Sequence, residues 1–434
     1  MHVLWIQGNW TLQVIDEKQK ILVISDHALY SSGVAVQTKS LIMGLLKTQK
    51  YEFIQLGAAV KHKEYSTITV SEDFHIKPID GFGNKNLLRS ILINERPSAI
   101  IIFSDPRFFE WLFEMEDEIH QVCPILWWHV WDNCPTPRFN DWMYESVDII
   151  NCHSYLTYRM CSENFPDKTN FIPHSFSKTQ FFRLDNSTKE KEKERILGKE
   201  RKDNFVCLWI NRNCYRKRPG DVLYSWSLFL KKLSKEKKKK VTLLMHTNPE
   251  DNSGQNLIEI AKSLNILDTI AFSVDILEEK FINIIHNISD VCLNMSYNEG
   301  FGLSTLESMM VGNPIIATKT GGLYRQVVDF RDNTENGVAL EPEVKSLSGT
   351  QAVPYIFKDF VSCEKVASAI FKLYNLTPLQ YKAISKKVEV YSSVAFSYES
   401  TIKMWDISLS KTINDFKHRQ SKAKVAYIKW KKFY

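Results

Sequence analysis

The sequence predicts an α/β protein of two domains, each built on a parallel sheet with helices on both faces. Three observations carry that expectation. Short apolar runs ending in turn residues recur along the first half, at 21–26 (ILVISD), 53–56, 99–103, 125–130, 148–152 and 170–173. They resume at 205–210, 241–246, 271–276, 290–295 and 315–317. Buried parallel strands read as such runs, and helical spacing falls between several of them, as at Val36, Leu41, Leu45 and Leu46. The 434 residues amount to two or three domain-lengths. A stretch dense in both charge signs, 189–203 (KEKEKERILGKERKD), reads as a solvated linker or an exposed helix and marks the boundary.

Composition narrows the class. A hydrophobic share of 44% and a charged share of 24% are ordinary for a globular protein. The net charge of +6 suits an anionic substrate without demanding nucleic acid. The lysine-rich segments fall in the linker, a helix end and the tail rather than on one shared element, which argues against a nucleic-acid interface. Eight cysteines are scattered without a C-x-x-C pair, so neither a zinc site nor a disulfide framework is expected, and reduced thiols fit a cytoplasmic setting. No apolar run approaches the ~20 residues of a membrane span. The first 20 residues lack the layout of a signal peptide and are either an extra strand or an extension.

The stretch richest in chemistry is 297–329, YNEGFGLSTLESMMVGNPIIATKTGGLYRQVVD. Glu299 precedes a turn, Gly300-Phe301-Gly302, that runs into a helix beginning near Leu303 and Ser304. Leu303, Leu306, Met309 and Met310 fall on one face. Gly312-Asn313-Pro314 ends the helix, a short strand follows, and Gly321-Gly322 makes a second turn. Amides near Gly302–Ser304 suit a phosphate. Glu299 and Glu307, as acceptors only, suit sugar hydroxyls on either side of it. A nucleotide sugar has that shape.

These elements resemble the donor-binding signature of retaining glycosyltransferases of the GT-B fold, glycosyltransferase family 4 (glycosyl transferases group 1): E-G-F-G-L, a second Glu, a Met-rich helix, G-x-P, an apolar strand and G-G. The resemblance covers about three-quarters of the chain by order of elements and is most specific in the second domain. It implies two Rossmann-like domains facing across a cleft, with a C-terminal helix crossing back to the N-terminal domain. The expected division is 1–185, the acceptor-side domain; 204–390, the nucleotide-sugar domain; and 391–434, the crossover helix and a basic aromatic tail. Ile402, Trp405, Leu409 and Ile413 share one helical face, as such a crossover helix needs.

The resemblance also implies roles. Arg212 and Lys217, five apart in the loop after the strand 205–210, would grip the donor diphosphate, with Arg216 and Arg218 close enough to substitute. Gly300, Phe301, Gly302, Leu303 and Ser304 would line the donor, Glu307 would bind ribose, and Glu299 the transferred sugar. Gly33, in the loop after the first strand, matches the family's first substrate-facing turn or is a plain turn glycine. His129, at the end of the strand in CPILWWHVWDN, would contact the transferred sugar beside Glu299; packing among three tryptophans is the other account of it. His27, His153 and His174 also stand near strand ends. The implied activity moves a sugar from a UDP- or GDP-linked donor to a hydroxyl of a glycan, lipid-linked or protein-linked acceptor, with retention, no metal and no cofactor. A nucleotide-sugar epimerase or hydrolase on the same fold, or a silent binding protein, are the alternatives. The interleaved Lys and aromatic residues of 422–434 suit an anionic membrane surface at its cytosolic face.

Overall fold

The computed structural model describes residues 17–431, with side chains described to residue 422. The six apolar runs of the first half become β1 (Gln19–Asp26), β2 (Tyr51–Ala58), β5 (Ala99–Phe103), β6 (Ile125–His129), β7 (Ile149–Cys152) and β8 (Thr169–Phe171), and two strands that the runs do not mark, β3 (Ile68–Ser71) and β4 (Phe74–Pro78), stand between the second and third. They form one sheet in the order β3-β4-β2-β1-β5-β6-β7-β8. The pairs β4-β2, β2-β1, β1-β5 and β5-β6 are parallel, and β3 lies antiparallel against β4.

The five later runs become β9 (Phe205–Ile210), β10 (Val241–His246), β11 (Ile270–Ser273), β12 (Val291–Asn294) and β13 (Ile315–Thr318), and β14 (Gly337–Leu340) follows them. Their order is β11-β10-β9-β12-β13-β14, parallel throughout. Alternate residues of β9 feed two separate cores, as a two-fold repeat dictates. Cys207 and Trp209 join Val222, Trp226, Leu243 and Ile370 on one face. Val206 and Leu208 join Leu244, Ile285 and Ile288 on the other. β10 and β12 flank β9, so the strand order reverses there, and open α/β sheets bind ligands beyond the carboxyl ends at such a point.

Two compact units emerge. One takes in the described residues up to Trp128, Trp142–Ile150 and those from Ile402 on; the other takes in His129–Asp141 and Asn151–Thr401. Within the first, the helix Tyr398–Lys431 buries Trp405, Leu409, Ile413 and Phe416. Trp405 meets Trp128 edge to face, ring centroids 4.9 Å apart, and the Asp406 carboxylate accepts from the Tyr51 hydroxyl at 2.7 Å. The C-terminal helix thus packs on the first unit, as expected from its apolar face.

The charged stretch after residue 185 is a helix, Asn186–Leu197. It is mostly exposed, but Ile196 and Leu197 pack on the core of Val206, Leu208 and Ile285, and the buried ammonium of Lys193 donates to the Asn204 carbonyl at 2.6 Å and lies 3.6 Å from Asp290. Residues 345–358 are most of an antiparallel hairpin, β15 (Val344–Ser348) with β16 (Ile356–Phe360). β15 is almost wholly exposed, so no apolar alternation marks it in the sequence.

Candidate functional site

Two loops leave the second sheet at its reversal point. The loop after β9 makes a short 3-10 turn, Tyr215–Lys217, closed by Arg218 at φ 54. The loop after β12 carries Asn298, Glu299 and the glycine turn. The Tyr297 N–H donates to the Arg216 carbonyl at 3.2 Å, tying one loop to the other. The 3-10 turn sends Arg216 and Lys217 toward Glu299. The Arg216 Nη1 lies 3.2 Å from the Glu299 carboxylate and donates to the Asn298 carbonyl at 2.9 Å. The Lys217 ammonium donates to the same carboxylate oxygen.

Asp132, three residues beyond the end of β6, completes the cluster, its carboxylate 3.7 Å from the Arg216 guanidinium. Glu299 is only 7% exposed. Burial pushes its carboxyl up, but Arg216 and Lys217 outweigh burial and hold it down at about 2. Burial is also the largest influence on Lys217 and pulls its ammonium down, against the opposing attraction of Glu299. For Arg216 the balance tips the other way: burial works against its charge, but Glu299 and Asp132 raise it.

Close backbone approach explains the glycines. Gly321 has φ +49, and a Cβ there would stand 1.9 Å from the Glu299 carbonyl oxygen and 2.4 Å from that of Asp132. A Cβ on Gly300 would stand 2.8 Å from the Asp132 carboxylate. Gly302, with φ 91, precedes the helix Leu303–Met310, whose start no side chain caps. The carbonyls behind that start are held instead: Gln326 Nε2 donates to the oxygens of Phe301 at 2.7 Å and Gly302 at 3.1 Å, and the Thr305 hydroxyl to that of Gly302 at 2.7 Å. Phe301 is buried edge to face with His174, centroids 5.0 Å apart. Glu307 sits in the second turn of that helix, its carboxylate accepting from His286 Nε2 at 3.0 Å.

The structure therefore brings together Lys217, Glu299, Gly300 and the helix start at Leu303 and Ser304. Arg212 goes elsewhere. Its guanidinium is 70% exposed and turns to Asp251 at 3.3 Å and Ser253 at 3.0 Å, so Arg216 has the place beside Lys217. His129 is fully buried, and burial, then the neighbouring His153, pulls its imidazole down to about 3. The next strand's His153 comes nearer to the glycine turn: its Nδ1 donates to the His129 carbonyl, and its Nε2 lies 3.3 Å from where a Gly300 Cβ would be. Gly33 opens the helix Gly33–Leu46 in the first unit, behind the cap Ser32, whose hydroxyl also donates to Asp26 at 2.6 Å. Sequence reasoning gave no role to Asp132 or His286. The turn residues after β6 are the only signal for Asp132, and nothing short of the fold marks His286.

Among the described residues, one set could approach a metal: His129, Cys152 and Cys161, buried, with ligand atoms within 4.8 Å of one another. A structural zinc takes four ligands, and this set offers three. All eight cysteines are free.

This fold is shared with solved GT-B glycosyltransferases. Sucrose-phosphate synthase from Thermosynechococcus elongatus matches 92% of this chain and 100% of its own at 14% identity, TM-score 0.70. Anabaena HepE in complex with UDP and glucose matches 91% and 100% at 14% identity, TM-score 0.66. Residues 190–359 match the family described as glycosyl transferases group 1. Over 94 residues it is 36% identical to a trehalose synthase from Pyrococcus horikoshii, a stretch covering 18% of this chain and 22% of the relative, about a fifth of that protein's length.

Proposed function

We propose that the chain is a glycosyltransferase that moves a sugar from a nucleotide-sugar donor to a hydroxyl acceptor with retention of anomeric configuration. The observation that carries this reading is the convergence of Lys217 and Arg216 on Glu299 beside an uncapped helix start, where β9 and β12 end. Lys217 and Arg216 supply fixed positive charge for a departing diphosphate, the kind of preorganised stabilisation that lowers such barriers. The free first-turn amides add a second anion contact. In this reading Glu307 accepts from the ribose hydroxyls and Glu299 from the transferred sugar. His153 is nearer to the glycine turn than His129 and takes over the histidine role first given to His129. HepE, one of the structural neighbours, has been solved with UDP and glucose, which supports a uridine nucleotide as the first donor to try.

The experiment is a transfer assay with UDP-, ADP- and GDP-sugars and simple alcohols or sugars as acceptors, read by proton NMR of the product. The expected result is a glycoside with the donor's anomeric configuration, formed at the same rate in EDTA. An inverted product, or nucleotide release without glycoside, contradicts the reading. A cytoplasmic location is part of the proposal. No helix among the described residues is long and apolar enough to cross a membrane. The membrane contact proposed for 422–434 involves side chains that lie, after Lys422, outside the described residues. Sedimentation with anionic liposomes decides it, and equal recovery in the supernatant with and without them ends it.

A further inference from the structure

Glu307 is not left to find its ligand alone. Its carboxylate is 14% exposed and lies beside a histidine that is fully buried. His286 stands in the last turn of the helix Glu279–Asn287, and its Nε2 is 3.0 Å from Glu307 Oε2. The backbone there is tethered as well: Asn313, in the turn after the helix Leu303–Met310, donates its Nδ2 to the His286 carbonyl at 2.6 Å. The ring packs edge to face on Phe181, centroids 5.9 Å apart. The other ring nitrogen, Nδ1, is buried with no hydrogen-bond partner among the described residues. The carboxylate can only accept, so Nε2 carries the proton of this bond.

A carboxylate binds a pair of adjacent hydroxyls well only when its plane is set beforehand. A free glutamate side chain loses rotamer entropy on being fixed, and prior anchoring removes that loss from the binding step. One oxygen of Glu307 is held by His286, and the other remains for a ligand. We infer that His286 is a positioning residue of a ribose subsite, holding Glu307 in the orientation that accepts the two ribose hydroxyls of a nucleoside diphosphate. The inference rests on the donor reading above and adds to it a residue from a different helix. Ribose is remote from the reacting bond, so the effect belongs to binding rather than to the chemical step.

The test measures UDP, ADP and GDP affinity by calorimetry, and donor KM and kcat where transfer is found. His286→Phe keeps the ring and removes the donor; His286→Gln restores an N–H at the Nε2 position. The expected result is an about tenfold weaker nucleoside diphosphate affinity in His286→Phe, kcat within about twofold, and near-complete recovery in His286→Gln. In a Glu307→Gln background the His286→Phe change is expected to have no further effect, since coupled residues are non-additive. Should His286→Phe fail to fold, His286→Asn, too short to reach Glu307, takes its place. Three results would overturn the inference: Glu307→Gln weakens binding while His286→Phe does not; His286→Gln is as impaired as His286→Phe; or the two changes add. If Glu307→Gln itself leaves nucleotide affinity unchanged, it is the donor reading that fails.

Discussion

Glu299 sits between Arg216 and Lys217 with its charge fully developed, and that has a cost for any incoming diphosphate. The cations proposed for the donor are already neutralised, Lys217 by Glu299 and Arg216 by Glu299 and Asp132. At 4 Å and an effective dielectric of 20, one such pair is worth about 4 kcal/mol. Donor binding must therefore trade the carboxylate for phosphate oxygens while Glu299 turns to the sugar. Glu299→Gln is expected to bind UDP several-fold more tightly than the wild type yet lower kcat about a hundredfold. Unchanged or weaker UDP binding in a folded variant contradicts the exchange. The same pair makes a pH statement. Because the folded carboxyl lies near 2, below its ordinary 4.5, its stabilisation is complete above about pH 4.5 and is lost as pH falls toward 2. Melting curves across that window are expected to be steeper in pH for the wild type than for Glu299→Gln. Among the basic residues of the first loop, Lys217→Ala and Arg216→Ala are each expected to cost about 2–4 kcal/mol of transition-state stabilisation, read from kcat/KM. Arg212→Ala is expected to stay within a few-fold, because its partners are Asp251 and Ser253. Spacing alone could not choose between Arg212 and Arg216. The choice is made by the 3-10 turn at Tyr215–Lys217, which a string of basic residues does not announce.

At the scale of elements, the hairpin β15–β16 fastens the loops around the cluster. Asp359, 2% exposed on β16, accepts from Asn133 Nδ2 at 2.7 Å and from the Thr320 hydroxyl at 2.7 Å. Its N–H donates to the Tyr297 carbonyl at 2.6 Å. This one residue, through its side chain and its backbone N–H, joins the turn bearing Asp132, the turn bearing Gly321 and the approach to Glu299. Asp359→Ala removes the acceptor of the buried Thr320 hydroxyl and one of the two acceptors of Asn133 Nδ2, and is expected to lower stability by about 1–3 kcal/mol in chemical denaturation, with loss of nucleotide binding. No change in either sets the hairpin aside. Gly321→Ala drives a Cβ into the Glu299 and Asp132 carbonyls and is expected to abolish transfer even if the protein folds, checked by assay beside a circular dichroism spectrum. The central parallel strands, such as β1, β5, β6 and β9, were legible because they are buried along nearly their whole length and read as uninterrupted apolar runs; β4, which alternates buried and half-buried residues, was not. The hairpin was not, because β15 lies in solvent with Val344 and Leu347 outermost and carries no period. The buried setting of His129 was also hidden: a histidine ending an apolar strand looks the same whether its ring faces a ligand or, as here, Cys152 and Cys161.

For the whole molecule, the doubly wound second sheet determines where function can lie. Its strand order turns at β9, and the loops after β9 and β12 carry every group in the charge cluster except Asp132. That much followed from the order of apolar runs and the glycine turn, since topology in parallel sheets leaves few places for a site. The tethering residues, His286, Gln326 and Asp359, belong to the fold rather than to any local pattern and become visible only with the coordinates. The central claim is that this cluster holds the diphosphate of a nucleotide sugar. Its most direct test is calorimetric titration of wild type and Lys217→Ala with UDP-, ADP- and GDP-sugars. The account predicts one-to-one binding of at least one of them, weakened thirtyfold or more in Lys217→Ala with the fold intact. Equal affinity in the two proteins, or no binding of any nucleotide sugar by the wild type, would contradict it.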